Sequence, residues 1–331
     1  MGVIASAPAK IILFGEHFVV HGEPALVLAI DKRVHAKAEF RDDARLFFKS
    51  VNLNLSGFFE DEKFEIEGVN GGRTVKDARS KLEPLKLIAK KILEIYGEKV
   101  GLSIEINSMV PVAAGLGSSA AVATAVTAAI SALLNIKLTN QDIFQISYEA
   151  EKVVHGTPSG VDPAISTFGG TLLFQADTGF KPIDVPVDLP LIVGCTGVER
   201  STGVQVAKVR ALKEKYPQVI RYVLKSGREI VITALSALQK GDLKVLGDLM
   251  NINHALLYGL GVSDESLESL ITAARKEGAL GAKLTGAGGG GCMIALAEDE
   301  KINPVLEVLQ KRGGTPFLAR KTDEGVKIEG K

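Results

Sequence analysis

Lys10 stands among Ala9, Ile11 and Ile12, so its ammonium must either reach solvent along its aliphatic stem or meet a partner anion. A hundred residues on, the stretch Pro111-Val112-Ala113-Ala114-Gly115-Leu116-Gly117-Ser118-Ser119-Ala120-Ala121 lies between an expected strand and an expected helix, where a phosphate-binding loop belongs. Its glycines permit close backbone approach, and N–H groups at a helix start attract an anion. The plainer reading is a tight turn capped by Ser118 or Ser119. Two acids follow. Glu151 sits at the edge of an apolar helical stripe of Ile143, Ile146, Ser147, Ala150 and Val154, so it is either a carboxylate held in a cleft or an ordinary boundary glutamate. Glu149 falls on the solvated side. In Gly160-Val161-Asp162-Pro163 the aspartate is either an N-cap before a proline at the first helical position, or a general base for a hydroxyl proton in phosphoryl transfer.

Other patterns are weaker. The run Gly286-Ala287-Gly288-Gly289-Gly290-Gly291 contains G-x-G-x-x-G, but a strand rather than a helix follows, so no helix N-terminus receives a pyrophosphate. Gly115-x-Gly117-x-x-Ala120 also fits a relaxed dinucleotide fingerprint, yet no acid appears near 20 positions later, which argues against an oxidoreductase. Residues 325–331 spell G-x-x-x-x-G-K with no Ser/Thr and no helix after it, a chance match. His17 and His21 lack the HExxH arrangement of a metal helix, and the β-branched residues around them disfavour a helix.

The elements that must position these groups follow from periodicity. Residues 3–5, 11–14, 25–29 and 34–40 read as strands, separated by Pro8, Gly15, Gly22 and Pro24. Residues 41–80 are polar, with a turn at Asn70-Gly71-Gly72. Helices are expected at 84–96, 119–134 and 139–154, the last opened by a Thr139/Asp142 capping box and stopped by Gly156 and Pro158. Strands are expected at 102–106 and 171–174. After a stretch holding Pro182, Pro186 and Pro190, helices at 204–215, 218–239, 242–258 and 265–277 alternate with strands at 191–195 and 293–297. This order argues for an α+β fold, divided at the prolines into 1–185 and 186–331.

The chain has 331 residues, 46% hydrophobic and 24% charged, which suits two domains with substantial cores. Lys plus Arg and Asp plus Glu number 39 each, and this zero net charge excludes a generally basic nucleic-acid binder. A neutral chain also slightly favours self-association, a pointer toward a homodimer. Two cysteines, Cys195 and Cys292, are too few for a disulfide framework and suit a reducing cytoplasm. The uncharged run 108–136 is long enough by count to span a bilayer, but Pro111, the glycines, the serines and many alanines leave it weakly hydrophobic. Gly2 and Ser6 match a myristoylation pattern without a polybasic second anchor, and Lys10 interrupts any signal-like apolar core. No membrane association and a cytoplasmic location are the expectation.

Taken together, these residues resemble the GHMP kinase family, through three separated motifs in the family's order and over nearly the whole chain. The motifs are residues 7–22 (Ala-Pro-Ala-Lys-Ile-Ile-Leu-Phe-Gly-Glu-His-Phe-Val-Val-His-Gly), the loop 111–121, and residues 283–291 (Lys-Leu-Thr-Gly-Ala-Gly-Gly-Gly-Gly). Residues 151–162 are similar to the family's magnesium and catalytic segment. Phe18-Val19-Val20 after Gly-Glu-His is similar to the branch acting on mevalonate rather than to galactokinases, which have Thr-Asp-Tyr there. Arg200-Ser201-Thr202 is similar to that branch's substrate segment. Ala113 departs from the family, which usually has glycine at that place.

The resemblance implies a two-domain fold, with a ribosomal-protein-like N-terminal domain and the active site in the cleft between domains. It implies ATP-dependent phosphorylation of mevalonate's 5-hydroxyl in isoprenoid biosynthesis, with ATP on the 111–121 loop and Mg²⁺ on Ser119 and Glu151. Asp162 is then the base, and Lys10 neutralises charge between it and the transferring phosphoryl. Glu16, His17, Arg200, Thr202 and Gly288 orient the substrate, Arg200 as its carboxylate partner. Another small-molecule kinase of the family, acting on phosphomevalonate or homoserine, and a non-catalytic ligand sensor are the alternatives; the presence of Lys10, Ser119, Glu151 and Asp162 together speaks against the sensor.

Overall fold

The computed structural model describes residues 2–69, 74–111, 115–155, 159–198 and 201–330. Its first strand, β1 (Val3–Phe14), is not broken at Pro8. It runs on through a bulge in which Pro8 pairs with Arg33 and Ala9 with Ile30 of β2 (Ala25–Arg41), leaving Asp31 and Lys32 outside the ladder. A bulge accommodates a residue that cannot donate a ladder hydrogen bond. Two pairs of expected short strands are therefore two long ones. The polar stretch after β2 is also structured, as a meander of β3 (Leu46–Ser50), β4 (Leu55–Glu60) and β5 (Lys63–Val69). In β3 and β4 buried positions alternate with more exposed ones, but Ser50 and Gly57 take buried positions and Phe47 and Phe58 half-exposed ones, so residue type does not alternate with burial and the stretch reads as loop.

Helix α1 (Val75–Tyr96) begins well before Pro84, because a capping box at Thr74 and Asp77 nucleates it upstream (Thr74 N to Asp77 Oδ2 3.0 Å, Asp77 N to Thr74 Oγ1 3.2 Å). The expected turn at 70–72 lies outside the described residues. Next come β6 (Gly101–Ser108), α2 (Ser118–Leu133), α3 (Asn140–His155), α4 (Val161–Phe168), β7 (Thr171–Gln175) and β8 (Gly179–Ile183). The Thr139/Asp142 capping box opens α3 as its spacing predicts.

The second sheet is wholly antiparallel. It contains β9 (Leu191–Cys195), β10 (Gly281–Thr285), β11 (Cys292–Leu296) and β12 (Thr315–Ala319), in the order β10-β11-β9-β12. Helices α5 (Thr202–Lys215), α6 (Pro217–Lys240), α7 (Leu243–Gly259), α8 (Glu265–Glu277) and α9 (Asp299–Lys311) accompany it. β10, β12 and α9 go beyond the elements read from periodicity. Finally β13 (Lys327–Ile328) returns to the first sheet and pairs with β1, giving the order β13-β1-β2-β6-β3-β4-β5, with β7 beside the start of β2 and β8 beside β7.

The fold is therefore α+β, two sheets with helices. One apolar cluster joins them, bringing Ile11, Phe14, Leu26 and Leu28 of the first sheet together with Leu191, Val193 and Ile294 of the second. Residues 5–11 of β1 are buried throughout, so whatever β1 presents is held rigidly. The β9–β11 register places Cys195 opposite Cys292, and the two are joined by a disulfide, which their scarcity alone does not suggest. Among the described residues, no helix is long and apolar enough to cross a membrane.

Candidate active site

Lys10 points from the buried β1 toward α4, only 4% exposed, with its Nζ 3.2 Å from Asp162 Oδ1. The same residue anchors the glycine loop, since its backbone N–H donates to Leu116 O at 2.9 Å. Gly115 and Gly117 on either side of Leu116 are left-handed (φ 73° and 71°). A Cβ on Gly117 would lie 2.7 Å from the Lys10 side chain and 3.5 Å from Asp162 Oδ2, so both conformation and space demand glycine there.

Gly117 is also the N-cap of α2 and offers no side-chain acceptor. Ser118 and Ser119 occupy the first helical turn instead of capping it, which corrects the turn-capping reading. The N–H groups at this helix start are left for an anion. Ser119 is exposed and Pro111 half-buried. Val112, Ala113 and Ala114, and with them any strain at Ala113, lie outside the described residues.

Asp162 is not an N-cap. Gly160 (φ 80°) caps α4, and Asp162 sits in its first turn with its carboxylate on Lys10. The proline rule places the helix start late here, because a left-handed glycine already turns the chain. Glu151 faces the same two groups. Its Oε2 is buried without a hydrogen-bond partner among the described residues. Burial pushes its carboxyl up to about 8, helped by the negative charge of Asp162 and opposed by Lys10. Glu149 instead pairs with Lys91 on α1 and accepts from Gln145 at 3.0 Å, on the outer side as expected.

The Glu151 shift has a measurable sign. With a folded-state value above the ordinary 4.5, the carboxyl contributes stability that is fully present at low pH and is lost as pH rises through about 8. In the absence of nucleotide and metal, the melting temperature is expected to carry a component that falls between about pH 5 and 8, and Glu151→Gln is expected to remove it. An identical slope in the variant would show that Glu151 is already charged in the folded protein.

A second cluster adjoins the first, close enough for Lys10 to act on both Glu151 and Glu16. Glu16 is wholly buried against Lys283 of β10, an ion pair with no exposed side-chain surface. Burial drives Glu16 up and Lys283 down, each toward neutrality, while their mutual attraction opposes both shifts. His17, at φ 62°, has its ring Nε2 2.8 Å from Ala287 O, and Thr285 Oγ1 donates to Ile12 O at 2.9 Å. Residues 12–17 are thereby stitched to 283–287.

Gly288 (φ 74°) sits where a Cβ would meet Val262 O at 2.0 Å. Thr202 opens α5 in an exposed position, and Arg200 lies outside the described residues. Lys283 has no role assigned from sequence, although the signal that marks Lys10, a lysine between apolar neighbours, is present in Ala282 and Leu284.

A carboxylate on an ammonium, a helix start without a side-chain cap and a hard oxygen donor with no partner among the described residues together suit phosphoryl transfer to a hydroxyl. Residues 84–170 match the model of the GHMP kinases N terminal domain, and residues 234–315 that of the GHMP kinases C terminal domain. A mevalonate kinase of Thermococcus sibiricus is 42% identical, with 99% of each chain covered. One from Pyrococcus abyssi is also 42% identical, covering 99% of this chain and 98% of its own. The crystal structure of L. major mevalonate kinase in complex with R-mevalonate superposes with a TM-score of 0.84 at 30% identity, over 97% of this chain and 96% of that one.

Proposed function

The chain belongs to the GHMP kinase family, in its mevalonate kinase branch, and from that premise we propose how its residues phosphorylate the 5-hydroxyl of mevalonate with ATP, giving 5-phosphomevalonate and ADP. The observation that carries the proposal is the contact of Lys10 with Asp162 beside the open start of α2. Asp162 accepts the hydroxyl proton as the oxygen attacks the γ-phosphorus. Lys10, held in the rigid β1, stabilises the negative charge spread over the transferring phosphoryl. The N–H groups of residues 118–120 receive ATP phosphates, and the glycines at 115 and 117 let them come close.

The residues present fit Mg²⁺. Glu151 Oε2, buried and without a hydrogen-bond partner among the described residues, is a hard donor, and Ser119 in the first turn of α2 would add a hydroxyl. When bound there, the metal supplies charge neutralisation for the β- and γ-phosphates. Arg200, Thr202, His17 and Gly288 orient the substrate, Arg200 as its carboxylate partner, and Glu16, sealed against Lys283, does so indirectly by holding the 283–288 strand and loop against β1. Residues 1–185 and 186–331 form the two domains, with β13 returning to the first. A homodimer, favoured by zero net charge, and a cytoplasmic location, where ATP and a small soluble alcohol meet, belong to the same proposal.

The test is ATP consumption by purified protein with mevalonate, phosphomevalonate or homoserine in parallel, the product being identified by phosphorus NMR. Turnover with mevalonate alone is expected. Preference for either other alcohol overturns the substrate assignment, and no turnover with any of them overturns the kinase reading.

A further inference from the structure

Segment 320–329 leaves the second sheet and crosses the far end of α4, the helix whose first turn carries Asp162. It is tied down along its length by main-chain bonds. Asp31 N donates to Arg320 O (2.9 Å), Thr322 N to Ala29 O (3.0 Å), Gly170 N to Thr322 O (3.0 Å), Val326 N to Thr167 O (3.1 Å) and Glu329 N to Ile4 O (2.8 Å). The bulge in β2 serves this docking, since Arg320 N also donates to Asp31 Oδ1 at 3.1 Å.

Arg33 locks the crossing point. Its guanidinium, in a residue 8% exposed, donates to Gly325 O (2.6 Å), Glu324 O (3.3 Å), Ser6 O (3.0 Å) and Ser6 Oγ (2.8 Å). Gly325 is not left-handed, so space alone requires glycine there: a Cβ would lie 2.0 Å from Thr167 O. From the other side, a Cβ on Gly169 would lie 2.5 Å from Asp323 O. The strap and the end of α4 touch backbone to backbone.

An eight-residue helix does not hold its own position, so its setting comes from what grips it. α4 packs on α2, α3 and β1, where Ser166 Oγ donates to Pro8 O at 3.0 Å, and its far end, from Thr167 to Gly170, is tied by the strap. Thr167 lies about 7.5 Å along the helix axis from Asp162, near enough for a shift at one end to move the other. We propose that segment 320–329, clasped by Arg33, is a positioning strap that sets Asp162 against Lys10 and the substrate hydroxyl, with Arg33 and Gly325 as positioning residues. The inference rests on Asp162 being the base. A misplacement of about 1 Å at such a group costs about 10²-fold in rate.

Steady-state kinetics with mevalonate and ATP, alongside thermal melts, are measured for Gly325→Ala, Arg33→Lys, Asp162→Asn and the double variant Gly325→Ala/Asp162→Asn. Gly325→Ala is expected to lower kcat by about 10- to 100-fold, with both KM values within about threefold. In the Asp162→Asn background it is expected to lower kcat by no more than about twofold, because a group that takes no proton cannot be misplaced. Arg33→Lys keeps the charge but loses the forked donors. It should show the same split at smaller size, and it decides the matter if Gly325→Ala does not fold.

Retention of kcat with only a lower melting temperature overturns the strap and leaves Asp162 as base. The same proportional loss with and without Asp162 overturns it as well, since that is the signature of a merely structural defect. Full turnover in Asp162→Asn removes the base reading itself, and the strap with it.

Discussion

Asp162→Asn is expected to lower turnover by about 10²–10⁴-fold while leaving nucleotide affinity within a few-fold. A base acts on the hydroxyl and not on ATP, so the loss belongs in kcat. The geometry makes this substitution a cleaner probe than its place before Pro163 suggests. Asp162 does not cap α4, because Gly160 does, so no capping bond is lost with the charge. Its ion pair with Lys10, at 3.2 Å, becomes an ammonium–amide contact of similar shape. A melt measured in parallel reads the separate cost of leaving the buried Lys10 ammonium without its carboxylate, about 1–3 kcal/mol, and keeps it apart from the loss in kcat. A stable, fully active variant would reduce Asp162 to a partner that keeps Lys10 in place.

Two glutamates two residues apart on α3 should respond differently to magnesium. Glu151→Gln is expected to raise the Mg²⁺ concentration for half-maximal rate by about tenfold or more, because a site of few hard ligands loses its one protein carboxylate. Glu149→Gln should titrate like the unaltered enzyme, since its exposed pair with Lys91 is worth about 0–1 kcal/mol and faces away from the site. Equal Mg²⁺ dependence in the two variants would mean that the metal sits elsewhere. An effect confined to Glu149 would reverse the face of α3 on which it is placed.

The contrast between these glutamates is legible in the sequence, because a long helix with a capping box has a known phase. Ile143, Ile146, Ser147 and Ala150 are all buried as the 3.6-residue period requires, and Glu151 follows at their edge. The phosphate loop is legible for a similar reason: glycines and small residues between a strand and a helix serve local backbone chemistry. The Lys10 signal, an ammonium among aliphatic neighbours, is local too. By itself, then, the sequence determined the helix phases, the glycine loop before α2, the singular setting of Lys10 among aliphatic neighbours and the family.

What required the tertiary structure is everything whose partner is distant in the chain. No local pattern shows that Lys10 meets Asp162, that Glu16 is sealed against Lys283, or that Cys195 and Cys292 face each other across two strands. The meander 46–69 escapes periodicity because Ser50 and Gly57 sit on its buried face and Phe47 and Phe58 on its open one, and α1 begins early because its cap outweighs the proline within it. The return of segment 320–329 beneath α4 is the extreme case. Most of the bonds that dock it use the segment's own main-chain groups, including the carbonyls that accept from Arg33, and backbone groups are the same in every residue, so its own side chains carry little trace of where it docks.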